Sequence, residues 1–290
     1  ISAFQDFDGI YHFTFDQPYD KGRIANFFSS AGHPLKQVFV PVGAVLFRMG
    51  AVRPGQNPVQ LNLPEKSVAE NLVKYGDRIR LHVSNMRYIW EEAGAPSALI
   101  ALRPMNVKIG GSELKLSEQV EKPSGEWISE TSEIIWDNTD STRAVFRIDA
   151  PAAKGAIGYI GGRRIELGNL TIEMDSIPGN WAAITLTSLD GKPIEESSKI
   201  LIVAAGKAEN TGWQWNENKT SLGGNWGNAP TRVEGIPAKL TFSNMYKFKI
   251  RPLDAYRKPG EEIPVNRKGK NHSVGIGAQY KTLWYLIERD

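Results

Sequence analysis

The stretch TGWQWNENKTSLGGNWG, Thr211 to Gly227, holds three of the chain's eight tryptophans, Trp213, Trp215 and Trp226, among Asn, Gly, Thr, Ser and Lys. Indoles set in loop-like composition suit a ligand with apolar C–H faces and a rim of hydroxyls, which is the chemistry of a sugar ring. Flat aromatic plates give large contact at low entropic cost, and side-chain amides meet hydroxyls with defined geometry. Gln214, Asn216 and Asn225, together with Asn218, Asn228 and Thr220, supply those polar groups. A single-stranded nucleic acid would also call for arginine and lysine clustered about the rings, and only Lys219 and Arg232 are close in sequence. A packing role competes with this reading, in which Trp215 and Trp226 pin a long loop, each burying about 200 Å². Trp213 is then the exposed plate.

No other pattern carries chemistry. There is no HExxH, no GxxxxGK phosphate loop and no GxSxG, and His12, His33, His82 and His272 are scattered singly. The pairs Gly161-Gly162 and Gly223-Gly224 read as turns. Glu195-Glu196 and Glu261-Glu262 are adjacent acids that point apart, whereas the two carboxyls of a glycosidase face each other across about 5 to 9 Å. The absence of cysteine excludes disulfides, thiolate zinc sites, iron–sulfur clusters and thiol nucleophiles. No cofactor is expected. Asp137 and Asp140 in IIWDNTD are the acids from which an oxygen-ligand calcium site could be built, and on their own they read as a turn.

The elements that must position the tryptophans are mostly strands. From about Ser112 onward, AVFRIDA, GAIGYIGG, AAITLTSLD, KILIVAAG, AKLTFS and KTLWYLIE are short apolar or alternating runs separated by turn residues. In MYKFKIRPLD, Met245 to Asp254, the alternation sets Tyr246, Phe248 and Ile250 on one face. RIELGNLTIEM, Arg164 to Met174, reads as a hairpin about Gly168-Asn169. Many short strands with regular turns predict a mainly β fold, an antiparallel sandwich with a small N-terminal α/β extension. In that extension DGIYHFTFD, Asp8 to Asp16, is expected as a buried strand. After it, Leu35, Val38, Val42, Val45, Leu46 and Met49 keep helical spacing across His33 to Gly50, with Pro41 either kinking the helix or starting it. Further short helices are expected over Glu65 to Tyr75 and Asn85 to Ala93, the latter capped by Ser84.

Net charge is only +3 over 290 residues, which gives no general field for nucleic acid, and the basic stretch Lys247 to Lys270 is interrupted by Asp254, Glu261 and Glu262. No run of about 18 apolar residues is present to span a membrane. The chain begins at Ile1 without methionine or signal peptide and is read as a piece of a longer polypeptide.

QDFDGIYHFTFD, trailed by GHPLKQVFVPVGAVLFRMGAVRP, resembles the last strand and helix of the (β/α)8 barrel in large bacterial glycoside hydrolases of the cellulase and β-galactosidase clan. SETSEIIWDN, VFRIDAPAAKGAIGYIGG, ITLTSLDGKPIEESSKILIVAAGKAENTGWQWNENKTS, NWGNAPTRVEGIPAKLTF and KTLWYLI resemble the accessory region C-terminal to that barrel. The resemblance implies a remnant of the barrel at 1–55, a connecting region at 56–111 and a β-sandwich at 112–290. Both catalytic carboxylates would lie upstream of Ile1, with Asp8 and Asp16 flanking the last barrel strand. The chain departs from the family at Trp213, which stands where an aliphatic residue or methionine is usual. The expected function is a non-catalytic, carbohydrate-binding region of a secreted or periplasmic polysaccharide-degrading enzyme. Its partners would be plant-type polysaccharides of the β-glucan, xylan, xyloglucan or mannan class, and the upstream barrel. A structural accessory domain, and a glycosidase completed by another polypeptide, are the alternatives.

Overall fold

The computed structural model describes residues 1–11, 14–15, 22–28, 30–67, 70 and 89–289. Strand occupies 34% of the chain and helix 12%, and the fold is mainly β with antiparallel sheets and a small helical N-terminal region. By backbone contacts the chain divides into two compact units, residues 1–8 with 53–141 and residues 9–52 with 142–290. These are boundaries of contact density, whereas the sequence boundaries near 55 and 111 mark changes of pattern.

The first unit is built on β1 (Val59–Leu63), which pairs in parallel with β2 (Met105–Ile109) and antiparallel with β3 (Lys115–Leu116). Val59, Leu61 and Leu63 alternate inward to meet Trp90, Leu99 and Leu116. A hairpin of β4 (Trp127–Ile128) and β5 (Ile134–Asp137) adds the tilted ring pair Trp127–Trp136, centroids 5.4 Å apart. Buried Gln5 fastens the N-terminus. Its Nε2 donates to the carbonyls of Ile100 and Arg103 at 2.9 and 2.8 Å, and its Oε1 accepts from Met105 N–H at 2.9 Å. Residues 65–67 and 89–92 are helical, in line with the two short helices expected there. Ser84 and the remainder of both segments lie outside the described residues, apart from Glu70, which is helical, and Ala93, which comes directly after the second helix.

In the second unit, β6 (Val145–Ala150), β7 (Ala153–Gly158), β10 (Ala182–Ser188), β11 (Lys199–Ala205), β15 (Lys249–Pro252) and β18 (Trp284–Glu288) form one antiparallel sheet, ordered β15-β18-β11-β10-β7-β6. The facing sheet is β16-β17-β14-β9-β8, made of β8 (Arg164–Leu167), β9 (Leu170–Met174), β14 (Ala238–Phe242), β16 (Asn266–Lys268) and β17 (Asn271–Ile276). Ile184, Ile202 and Tyr285 from the first sheet meet Ile172, Leu240 and Val274 from the second in one core, the packing of a sandwich. The hairpin β8–β9 turns through Gly168-Asn169, with Gly168 at φ +55° as a two-residue connection requires.

Strands β8, β9, β14 and β17 alternate between core and solvent, whereas β10 is buried along its whole length and β11 from Ile200 onward. Helix α1 (Pro34–Gly43) and the π-helical turn Ala44–Arg48 explain the difference. Val38, Phe39, Val42 and Leu46 cover the outer side of Leu201, Val203 and Leu253, and Trp284 Nε1 donates to the Val38 carbonyl at 3.0 Å. The opening helix therefore packs on the sheet. Pro34 begins it, where the missing N–H costs nothing. Pro41 lies inside, and the wider π turn comes directly after it.

Two local expectations are corrected. Among the described residues of Asp8 to Asp16, 8–11 and 14–15 form no strand, and Tyr11 is 96% exposed, with Ile10 and Phe15 also in water. An apolar run has no period to fix its structure, and here only the carbonyls of Thr14 and Phe15 are engaged, accepting from Ser30 and Ala31 N–H at 3.3 and 3.2 Å without forming a strand; His12 and Asp16 lie outside the described residues. In Met245 to Asp254 the strand starts only at Lys249. Asn244 turns the chain at φ +57°, so Met245 and Phe248 enter the core and Tyr246 points out. Phe248 meets Phe242 edge to face at 5.2 Å, which supplies the reason.

The SLDGKPIEESSK connection between β10 and β11 is organised by one carboxylate. Asp190 Oδ2 accepts from Ser198 N–H and Oγ at 2.8 Å each, and Oδ1 accepts from Ser188 Oγ at 2.8 Å and Lys192 N–H at 3.3 Å. Partial burial opposes the charge, but the hydrogen bonds from Ser198, Ser197 and Ser188 outweigh it and hold the carboxyl well below the usual carboxylate range. A depressed pKa contributes stability that is complete above the unfolded value of about 3.9 and is lost as pH falls through the folded value. Asp190→Asn is therefore expected to melt below the parent chain at pH 7. The two melting temperatures should converge as thermal scans are taken down toward pH 2.

Candidate functional site

The tryptophan stretch spans the turn of a two-stranded ribbon, β12 (Ala208–Thr211) paired with β13 (Asn228–Val233). The fully buried Asn210 anchors it to the N-terminal segment. Its Oδ1 accepts from Ile24 N–H at 2.8 Å and Thr231 Oγ1 at 2.6 Å, and its Nδ2 donates to the carbonyls of Ile24 at 2.8 Å and Trp226 at 2.7 Å. One amide thus uses both ends twice. Gly227, at φ +63°, allows the closing crossover, because a Cβ there would stand 2.4 Å from the Thr211 carbonyl oxygen. The Thr231 N–H to Gly22 carbonyl bond, 2.9 Å, continues the attachment.

This attachment brings Phe27 into the tryptophans. Its ring lies 4.6 Å from Trp226, 6.0 Å from Trp213 and 6.5 Å from Trp215, nearly parallel to the last at 21°. Trp213 stands edge to face with both Trp215 and Trp226, at 5.9 and 5.5 Å. The four rings form one cluster. Trp213 and Trp226 are half-buried within it, while Trp215 is 39% and Phe27 47% exposed. Trp213 is thus a buttress and Trp215 the more open plate, the reverse of the sequence expectation. The cause is local: Trp213 N–H bonds the Asn210 carbonyl at 3.1 Å, which holds the residue against the ribbon, and its buried indole N–H has no partner among the described residues. Trp215 Nε1 donates to Glu209 Oε1 at 3.3 Å, and Lys207 Nζ meets the same oxygen at 2.6 Å.

Beside the rings is a concavity of about 530 Å³ lined by Arg23, Gln214, Asn225, Trp226 and Asn228 with intervening glycine backbone. The side-chain amides of Gln214, Asn225 and Asn228 are exposed and make no hydrogen bond among the described residues. Arg23 Nη1 is steadied on the Gly227 carbonyl at 3.2 Å. Asn216 behaves otherwise. Its Oδ1 accepts from Thr220 and Ser221 N–H at 2.8 and 3.2 Å, and its Nδ2 donates to Thr220 Oγ1 at 3.0 Å, so this amide holds the loop's own turn. The structure therefore brings Trp213, Trp215, Trp226, Gln214 and Asn225 together and assigns Asn216 to scaffolding.

Sequence reasoning missed Phe27, Arg23 and Asn210. The aromatic pair Phe27-Phe28 in the otherwise polar run ANFFSS was the available signal for the first. Among the described residues no group of three or more His, Asp or Glu could hold a metal ion. Asp137 spends Oδ1 on Thr139, accepting from its N–H at 3.2 Å and its hydroxyl at 2.7 Å. His272 is buried edge to face with Phe248 at 5.8 Å, and His82 lies outside the described residues.

Truncating Asn210 to alanine removes the donor to the Ile24 and Trp226 carbonyls and leaves Ile24 N–H only the longer bond to Thr231 Oγ1 at 3.2 Å, so Asn210→Ala is expected to lower unfolding free energy by about 3 kcal/mol. Asn210→Asp should be no better, since a carboxylate cannot donate to the Ile24 and Trp226 carbonyls. Urea titration read by tryptophan fluorescence measures both losses. Comparisons of the chain with protein-family models, with curated proteins and with solved structures find no match.

Proposed function

We propose that the chain is a non-catalytic carbohydrate-binding region, with Trp215 and Phe27 as ring-stacking plates and Gln214, Asn225 and Asn228 as hydroxyl partners. The observation that carries this reading is that two partly open rings, Phe27 and Trp215, belong to the cluster of Trp226, which lines a concavity whose side-chain amides are uncommitted among the described residues. Unused amides over preorganised glycine backbone suit a ligand rich in hydroxyls, and rings already packed against each other lose little entropy on contact. Given the sequence resemblance to the accessory regions of glycoside hydrolases, the ligand is a plant-type polysaccharide and the parent a bacterial polysaccharide-degrading enzyme acting outside the cytoplasm. The catalytic carboxylates then belong to an upstream barrel.

A second reading rests on the same cluster. Trp213 and Trp226 are each in contact with two or more other rings, so the aromatics could serve only to pin the 212–227 loop, and the region would be a stabilising accessory to its barrel.

Retardation in native gels containing cellulose derivatives, xylan, β-glucan, xyloglucan or mannan separates the two. Trp215→Ala is expected to weaken retardation about tenfold or more, a loss of about 1.4 kcal/mol, with the melting temperature little changed. Trp213→Ala and Trp226→Ala are expected to lower the melting temperature as well, because they remove packed rings. Unaltered retardation in Trp215→Ala and Phe27→Ala would assign the cluster to packing. A further expectation is that the chain releases no product from these polymers or from aryl glycosides. Turnover abolished by neutralising one of its own Asp or Glu residues would favour the active glycosidase instead.

A further inference from the structure

A second concavity in the sandwich unit, about 260 Å³, is lined by Arg143, Tyr159, Gly161, Arg163, Gly179 and Asn180. It is stitched from three separate segments. Tyr159 N–H bonds the Ala144 carbonyl at 3.2 Å, Gly161 N–H the Asn180 carbonyl at 2.9 Å, and Arg163 N–H the Ile160 carbonyl at 3.1 Å. Two glycines permit the close approach. A Cβ on Gly158 would lie 2.3 Å from the Ala144 carbonyl oxygen, and one on Gly161 would lie 2.7 Å from Asn180 Cα. The Asn180 side chain closes its own turn, its Oδ1 accepting from Ile177 N–H at 3.1 Å. The walls are therefore backbone-fixed.

The fixed pocket presents positive charge without compensation. Arg143 and Arg163 make no side-chain hydrogen bond or ion pair among the described residues, and no acidic side chain lines the pocket. The contrast with the adjacent residue is direct, since Arg164 pairs with both Glu166 at 3.2 Å and Glu173 at 2.9 Å. Arg143 and Arg163, whose guanidinium groups are planar forks matched to an oxyanion, line this one pocket with the partly exposed Tyr159. The geometry points to a binding site for the carboxylate of an acidic saccharide, with Arg143 and Arg163 as the anion partners and Tyr159 as the face for the sugar ring. The site is separate from the tryptophan cluster and would add recognition of uronate units to recognition of neutral sugars.

The test is titration calorimetry of the full chain with oligogalacturonate, with the same oligomer as its methyl ester, with a neutral cello-oligosaccharide and with inorganic sulfate. Oligogalacturonate is expected to bind and its methyl ester to bind at least tenfold more weakly. Arg143→Gln and Arg163→Gln should each weaken oligogalacturonate at least tenfold, with melting temperature and neutral-oligosaccharide affinity unchanged. Lys268→Gln, on the distant exposed strand β16, controls for adsorption of polyanion to a basic protein and should change nothing. Equal affinity for acid and ester, affinity untouched by both arginine variants, loss shared by Lys268→Gln, or binding of sulfate alone would each overturn the assignment. Failure of the neutral oligosaccharide to bind would count against the tryptophan site and leave this one standing.

Discussion

Burial of both faces of the β10–β11 pair is the constraint on which the rest of the sandwich unit depends. A strand that is dry on both sides cannot be completed by a single facing sheet, so a second apolar layer must come from elsewhere in the chain. Helix α1 and its π turn provide that layer by covering Leu201 and Val203. Once the helix is docked, the residues just before it are delivered to the same unit, and Asn210 holds both the N–H and the carbonyl of Ile24. Phe27 then has no free choice of place, and it completes the aromatic cluster. The site is thus a by-product of covering a sheet.

The same logic separates the features that were readable in sequence from those that were not. Strand identity was legible wherever one face meets water, because alternation writes itself into side-chain type, as in Arg164–Leu167 and Ala238–Phe242. It failed for Met245 to Asp254, where alternation of Tyr246, Phe248 and Ile250 was real in the sequence but a left-handed turn at Asn244 shifted which side chains enter the core. It failed also for Ile10, Tyr11 and Phe15, because an apolar run states that a segment can be buried and not that a partner exists. The helix across Pro41 was legible from its spacing, while the π turn after it was not.

Within the candidate site, residue types were legible and exposure was not. Composition located Trp213, Trp215, Trp226, Gln214 and Asn225 in one loop, yet it could not say which indole faces out, since that depends on the hydrogen bond from Trp213 N–H to Asn210 and on a phenylalanine from far upstream in the chain. Asn216 looks in sequence like its neighbours Gln214 and Asn225. Its bonds to Thr220 and Ser221 make it a turn residue, a role that depends on backbone direction. Long-range pairing is the missing information in each case.

The hydrogen bonds between Ile24 and Asn210 join residues 186 positions apart. Closing so large a loop is entropically expensive until the intervening sheets have condensed, so the aromatic cluster belongs to the last stage of folding. During synthesis residues 22–28 leave the ribosome long before their partners exist, and Phe27 travels uncovered until the ribbon has been made. The finished cluster therefore doubles as a readout of completed folding, because a chain that displays it must already have brought these two remote segments together.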